Sequence, residues 1–368
     1  MKCPSCNSQN IISVYKYNDS FSSINYKIKI DINICNNCNF VFLLNGYFDK
    51  EYNKVLDKVY KNFNKNFIFS FPKQTKNIVN AINILSPYIN KKSTLLEIGS
   101  NRGDLLYLLK EKFPTINILG IEPMANSKVY VPTISSTFNS DLISSKFDII
   151  IIQQVLEHIK YPKKIIKDIY KILEKNGIVY IEVPSVIYSL EHKIDDFMLE
   201  HVNYFSKESL LDILQDFDIL YIEDNLNITV VAQKTSMSMY TKEYLNSEAN
   251  LRKGFKLFKY KKDEIINQIV NIFIPLKKRI IYYGVSYFYF RIYMYINTTN
   301  VEINQYFMDD NYQENIEPIN NLHRINLIKD DDVIILCSND PHVQNKMLTN
   351  IRNKNITIVK PWNEIIYL

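Results

Sequence analysis

The sequence predicts an α/β protein in three parts: an N-terminal four-cysteine module, a central doubly wound domain and a smaller C-terminal α/β domain. Three observations predict it. Two Cys-x-x-Cys pairs bracket an alternating apolar stretch within the first forty residues. The apolar run Thr94 to Ile98 leads through Gly99 and Gly103 into leucines at helical spacing. A second series of short apolar runs and helical patterns begins at Arg279. The boundaries expected from these patterns are 1–46 for the cysteine module, 47–91 for a helical connector, 92–239 for the central domain, and 240–368 for a linker helix and the last domain.

Bulk composition narrows the class. A chain of 368 residues has room for two or three domains, and 46% hydrophobic with 23% charged residues is a globular balance. The net charge of +5 is spread along the chain. Short basic runs such as Lys277-Lys-Arg279 suit solvated helix faces, so no nucleic-acid partner is expected. The longest apolar stretch, Ile280 to Ile296, is near the lower limit for a membrane span and contains Arg291. It is read as a buried strand and helix. The opening Met1-Lys-Cys-Pro-Ser-Cys6 is no secretory leader, and a cytoplasmic location is the expectation.

Cys3, Cys6, Cys35 and Cys38 form two knuckles, and each can place two thiolates on one metal ion. Between them Ile24, Tyr26, Ile28, Ile30, Ile32 and Ile34 alternate with polar residues, which is strand periodicity. So short a module cannot bury enough core alone, and zinc binding worth ~10–16 kcal/mol would make up the shortfall. Paired disulfides or a redox site are the alternative, and a reducing compartment favours structural zinc. Four protein ligands leave no open position for catalysis. Cys337 stands alone in an apolar run, as a core residue would.

Helices are expected from Tyr47 to Leu85, with Phe67, Phe69 and Phe71 as core residues. The central domain then opens on a strand, a glycine loop and a helix. Such a loop lets a backbone approach a ligand closely and aims helix N–H groups at it. The spacing Gly-x-x-x-Gly differs from the dinucleotide and phosphate-loop fingerprints. Glu97, two residues before Gly99, disfavours phosphate and suits a cation such as an amino group or a sulfonium. A second strand, Ile116 to Ile121, ends in Glu122-Pro123, where an acid can accept both hydroxyls of a ribose. Ile134 ends a third strand, and Thr137 and Phe138 follow it, in position to flank an adenine. Phe147 to Ile152 is a fourth, with Gln153, Gln154, Glu157 and His158 after its carboxyl end, where open α/β sheets bind ligands. A helix from Pro162 to Lys175, a turn at Asn176-Gly177 and a strand from Ile178 to Val183 come next. Phe217 to Val231 supplies the last two strands. Between them Glu200 and His201 lie in a loop before a helix capped by Ser206. A histidine there can take a proton near neutral pH, or can merely brace the loop.

From Tyr240 to Ile274 the pattern is an amphipathic helix with Leu245, Leu251, Phe255, Phe258, Ile265, Ile269 and Ile272 on its apolar side, broken by Pro275. Strands at Arg279 to Gly284, Val301 to Met308, Asp332 to Leu336 and Ile356 to Val359, with a helix around His342 to Ile351, make a Rossmann-like unit without an intact dinucleotide fingerprint.

The motif Glu97-Ile-Gly-Ser-Asn-Arg-Gly103 with Glu122 resembles the S-adenosylmethionine site of the class I methyltransferases. The resemblance implies a cofactor site made of Glu97, Gly99, Ser100, Asn101, Gly103, Glu122 and Pro123, with Thr137, Phe138, Gln153 and Gln154 beside it. The whole layout resembles the three-domain, zinc-containing C-methyltransferases of nucleotide-linked deoxysugars. Val155-Leu-Glu-His-Ile159, Glu200-His201 with Tyr204-Phe-Ser206, and Tyr283-Gly284 carry that likeness, with the four cysteines. It implies S-adenosylmethionine and zinc as cofactors, a nucleotide-sugar as small-molecule substrate, and His201 as general base; Glu200 would orient His201 or bind substrate, and His158 is a second candidate for the base. The chain departs from the family in three places. Phe67 to Phe71 stand where a connector tyrosine is usual, Met198 stands where a tyrosine often precedes Glu-His, and Val285 to Phe290 replace small residues after Tyr-Gly. An oxygen or nitrogen acceptor therefore remains an alternative to carbon. A zinc-ribbon scaffold with a silent methyltransferase domain is the alternative of another class.

Overall fold

The structure is a computed structural model and describes residues 1–21, 26–63, 75–125, 129–235, 247–284, 292, 296, 304–308, 320–321, 327–338, 341–351, 355–360 and 364–367. The chain divides into two compact units, one of residues 1–13, 32–186 and 200–248, the other of 14–31, 187–199 and 249–368.

The knuckles lead into β1 (Ile11–Phe21) and β2 (Tyr26–Cys35), and β3 (Val41–Leu43) follows the second knuckle. Within the first unit Ile32 to Ile34 pair antiparallel with β3. Helices α1 (Leu44–Phe48), α2 (Lys50–Phe63) and α3 (Lys76–Leu85) come next. Thr75 caps α3 through its side chain, and Ala81 and Leu85 are buried. The Phe67–Phe71 run lies outside the described residues.

The central sheet then forms from β4 (Thr94–Ile98), β5 (Asn117–Ile121), β6 (Thr133–Ile134), β7 (Phe147–Gln153), β8 (Leu173–Pro184), β10 (Phe217–Asp224) and β11 (Asn227–Lys234). Helices α4 (Asp104–Lys112), α5 (Pro162–Ile172), α6 (Val186–Glu191) and α7 (Lys207–Ile213) alternate with them, and β9 (Asn203–Tyr204) joins β3 instead. The order across the sheet is β10-β11-β8-β7-β4-β5-β6. Strands β6, β5, β4, β7 and β8 are parallel, while β11 runs antiparallel to β8 and to β10. The order reverses between β4 and β7, which puts the ligand crevice of such a sheet at their carboxyl ends. One face of the sheet, through Leu95, Ile149, Ile151 and Tyr180, packs on Ala81 and Leu85 of α3 and Leu105, Leu106 and Leu109 of α4. These strands are apolar throughout because both faces are covered.

One local expectation needs correction. Helix α5 ends at Ile172, not Lys175: Leu173 is buried and extended, and it already pairs with Phe147 as the first rung of β8. At Asn176-Gly177, where a turn was expected, Asn176 takes a positive φ of 64° and the register against β7 shifts between Leu173 and Ile178.

In the second unit α8 (Ser247–Gln268) buries Leu251, Phe255, Phe258 and Ile265. Ile272, expected on the apolar side, is exposed. Residues Ile269–Phe273 wind as a π-turn, closed by Ile274 N–H on the Ile269 carbonyl at 3.1 Å. The wider turn advances the phase of the buried stripe to Phe273 and Ile274. Leu245 lies outside the described residues. Tyr15, Phe197, Phe255 and Phe258 form an aromatic cluster there, and Tyr17 donates its hydroxyl to the Phe197 carbonyl. A second sheet holds β12 (Ile280–Tyr283), β13 (Gln305–Met308), β14 (Asn320–Asn321), β15 (Val333–Leu336), β16 (Thr357–Lys360) and β17 (Glu364–Tyr367), in the order β14-β13-β12-β15-β16-β17. It is parallel except for β17, with helix α9 (Pro341–Asn350) between β15 and β16. Its β13 begins at Gln305, and residues 301–303, 285–290 and 309–310 lie outside the described set. Cys337 is buried just after β15. Among the described residues no helix is long and apolar enough to cross a membrane.

Candidate active site

The glycine loop sits at the carboxyl end of β4. Gly99 and Gly103 have φ of 73° and 83°, conformations that a side chain would strain. A methyl group on Gly99 would also collide with Val155, so the segment after β7 lies directly against the loop. Likewise a methyl on Gly120 would collide with Ser100. Glu122 reaches across from the end of β5. One carboxylate oxygen accepts the Asn101 N–H at 3.0 Å, the other the Met124 N–H at 3.0 Å. Pro123 is exposed in the turn that follows.

Glu97 is buried on the α3/α4 side of β4. Burial pushes its carboxyl up to about 8; Asp104 and Glu122 add repulsion, while the Leu106 N–H in the first turn of α4 opposes the rise. Glu97 Oε2 and Ser100 Oγ are buried without a hydrogen-bond partner among the described residues. Buried polar atoms are normally satisfied, so an acceptor left open beside a glycine loop suits a ligand with a positive group. By this test the residues fit S-adenosylmethionine: Glu97 would meet its ammonium and Glu122 its ribose.

After β7, Gln153 and Gln154 both donate from Nε2 to the Glu182 carboxylate of β8, at 3.3 and 3.0 Å. Thr137 is exposed and Phe138 half-buried, further along the same sheet edge after β6.

A short 3-10 turn, Leu156–His158, and the residues before β9 are stitched together. Val202 N–H donates to the Glu157 carbonyl at 2.9 Å. Asn203 Nδ2 donates to the carbonyls of Leu156 at 3.1 Å and Ile159 at 2.8 Å, and Tyr47 donates its hydroxyl to Asn203 Oδ1. The capping box of Ser206 and Ser209 starts α7 immediately afterwards. His158 and His201 are thereby brought edge to face, with ring centroids 4.8 Å apart, and Tyr204 lies 6.3 Å from His201. His158 Nδ1 lies 3.0 Å from the Glu200 carbonyl. A carbonyl only accepts, so Nδ1 carries the proton and Nε2 offers a lone pair. Nε2 is 3.8 Å from Glu157 Oε1. Burial pushes the His158 pKa down, opposed by the hydrogen bond to the Glu200 carbonyl. Ligand atoms of Glu157, His158 and His201 lie within 4.8 Å of one another and could hold a metal ion or exchange a proton.

Sequence reasoning placed Glu157 at the ligand edge of the sheet without giving it a role, and it did not select Glu182 or Asn203. A carboxylate inside the apolar strand Ile178 to Val183 was the available signal for Glu182. Asn203 gives no such signal, because its role is set by carbonyls more than forty positions away.

In the N-terminal module Cys3 Sγ is 3.6 Å from Cys38 Sγ, and Cys6 Sγ 3.5 Å from Cys35 Sγ. All four are free thiols within 4.8 Å of one another and could hold a metal ion. A disulfide needs ~2.05 Å. A tetrahedron of ~2.3 Å zinc–sulfur bonds has edges of about 3.8 Å, close to the spacing seen.

Residues 73–223 match a family described as a methyltransferase domain. No curated protein matches the chain. Solved structures resemble it in part. An N1-methyltransferase of 1,6-didemethyltoxoflavin from Burkholderia thailandensis is 15% identical, covering 55% of this chain and 98% of its own, with a TM-score of 0.41. An O-methyltransferase family protein from the same organism is 10% identical, covering 43% and 56%, with a TM-score of 0.36. The magnesium protoporphyrin IX methyltransferase of Synechocystis PCC 6803 is 12% identical, covering 50% and 96%, with a TM-score of 0.36. The chain thus spans little more than half the length of one of these and nearly all of the other two. Likenesses at this level do not speak to the acceptor. With the seven-stranded order, the left-handed glycine loop and its two acids, the family match identifies residues 73–223 as an S-adenosylmethionine-dependent methyltransferase domain of the class I α/β fold.

Proposed function

We propose that the chain moves a methyl group from S-adenosylmethionine to a nucleotide-linked or other activated sugar, with His201 as the base that frees an acceptor carbon for attack. The observation that carries this reading is the convergence of Val155–Ile159 and Glu200–Tyr204 beside the glycine loop. The sugar assignment rests on the resemblance of those motifs and of the cysteine module to the deoxysugar C-methyltransferases.

When bound, S-adenosylmethionine supplies an electrophilic methyl group on a sulfonium. Glu97 and Glu122 bind and orient it from the ends of adjacent strands. Holding the two reactants in line is worth up to ~7–11 kcal/mol of barrier. A positioned base adds about 10²–10⁴-fold, and a carbon acceptor needs it most because its proton must leave to form an enolate. His201 takes that proton, and the neutral ring of His158 and the Glu157 carboxylate stabilise the imidazolium formed. Glu200 holds His158 through its carbonyl. The four cysteines hold a structural zinc.

Met198, where a tyrosine often precedes Glu-His, favours oxygen or nitrogen methylation as the second reading. Incubation with S-adenosylmethionine and a panel of nucleotide-sugars, with product mass and NMR, locates any added methyl. His201→Ala should then lower turnover about 10²–10⁴-fold while S-adenosylhomocysteine still binds. Near-normal turnover removes His201 from the role, and no donor binding by the wild type favours the scaffold alternative.

A further inference from the structure

We propose that Glu182 is a positioning residue of the donor site: it anchors the NH2 ends of Gln153 and Gln154, so that both present carbonyl oxygens to the ammonium of the methionyl group. This rests on the donor reading above. It concerns a residue that neither the motif nor the family match singles out.

Glu182 is 1% exposed, near the carboxyl end of the apolar strand β8. Its carboxylate accepts from Tyr180 Oη at 2.9 Å, Gln154 Nε2 at 3.0 Å, Gln153 Nε2 at 3.3 Å and Asn227 Nδ2 at 3.3 Å. Both glutamines turn their NH2 groups to its oxygens. A glutamine without such a partner can present either end. The second N–H of Gln153 is also committed, to the Asn77 carbonyl of α3 at 3.2 Å. What Gln153 has left is its acceptor oxygen, and Gln154 keeps its oxygen and one N–H.

The backbone is shaped for the same purpose. Neighbouring residues of a strand point to opposite faces. Gln154 has a φ of 54°, and its N–H bonds the Glu182 carbonyl at 2.8 Å. This left-handed step brings the Gln154 side chain back to the carboxylate that Gln153 already reaches. A strained non-glycine residue at the end of a strand needs a reason, and sharing one carboxylate between two amides is one.

The register supplies the location. Gln153 pairs with Glu182, and Ile151, one pleat earlier, pairs with both Tyr180 and Glu97. Glu97, Gln153 and Glu182 therefore share one face at the carboxyl ends of three adjacent strands. Glu97 Oε2 there lacks a hydrogen-bond partner among the described residues. The carbonyl oxygens of Gln153 and Gln154 and the Glu97 carboxyl on that face suit a cationic amine.

Titration calorimetry of the full chain tests this with two ligands, S-adenosylhomocysteine and 5′-methylthioadenosine, which lacks the amino-acid part. Glu182→Gln should weaken S-adenosylhomocysteine at least about tenfold and leave methylthioadenosine within about twofold. Equal weakening of both ligands, or no weakening of either, overturns the proposal, since a merely structural acid would not distinguish them. If Glu182→Gln fails to fold, Gln154→Met, which removes one acceptor oxygen at similar length, must show the same selective loss. Failure of the wild type to bind either ligand refutes the donor reading itself.

Discussion

Binding of the donor should release a proton from Glu97. In the empty site burial holds this carboxyl at about 8, so near pH 7 it is mostly protonated. A ligand ammonium needs the ionised form. Below pH 8 the affinity should therefore rise about tenfold per pH unit and level off above it. From pH 6 to pH 8.5 the gain is roughly 75-fold, or about 2.5 kcal/mol. Titration calorimetry with S-adenosylhomocysteine in two buffers of different ionisation enthalpy measures both the affinity and the protons released, close to one at pH 7. Glu97→Gln should abolish the proton release and the slope, and should bind weakly at every pH. A flat affinity in the wild type, or a slope that survives Glu97→Gln, refutes the reasoning. The same group affects the stability of the free protein. Its folded pKa lies above the unfolded value of 4.5, so its contribution is fully present below pH 4.5 and is lost as the pH rises through about 8. That interval corresponds to roughly 5 kcal/mol as an upper figure. Bound donor should offset the loss.

Gly99→Ala should weaken S-adenosylhomocysteine at least about tenfold and lower the thermal midpoint, because a positive φ of 73° costs ~1–2 kcal/mol in an L-residue and the new methyl displaces Val155. Calorimetry and a melting curve check it, and wild-type binding by the variant contradicts it. The purified protein should carry one zinc per chain by elemental analysis. Chelation or Cys35→Ser should lower the melting midpoint while donor affinity stays within about threefold, because β2 and β3 support β9 and Asn203 rather than the glycine loop. A metal-free wild type with an unchanged melting curve contradicts this.

Much of the candidate site was legible locally. Gly99, Gly103, Glu97 and Glu122 stand at strand ends that apolar runs announce, and parallel strands buried on both faces read as such runs. The four cysteines declare themselves by spacing alone. Helix ends were less legible, since Leu173 leaves α5 early to pair with Phe147, a partner 26 positions away in the chain. The phase slip at Ile272 likewise depends on a π-turn that periodicity cannot signal.

Sequence by itself determined the α/β class of the central domain, the glycine loop and the candidate ligands of the metal, because each is written in residues a few positions apart. Tertiary structure alone decided that His158 and His201 meet, that Asn203 ties their segments together, and that two glutamines share the Glu182 carboxylate. These contacts join strands distant in the chain, and only the register of the folded sheet sets which side chains face one another.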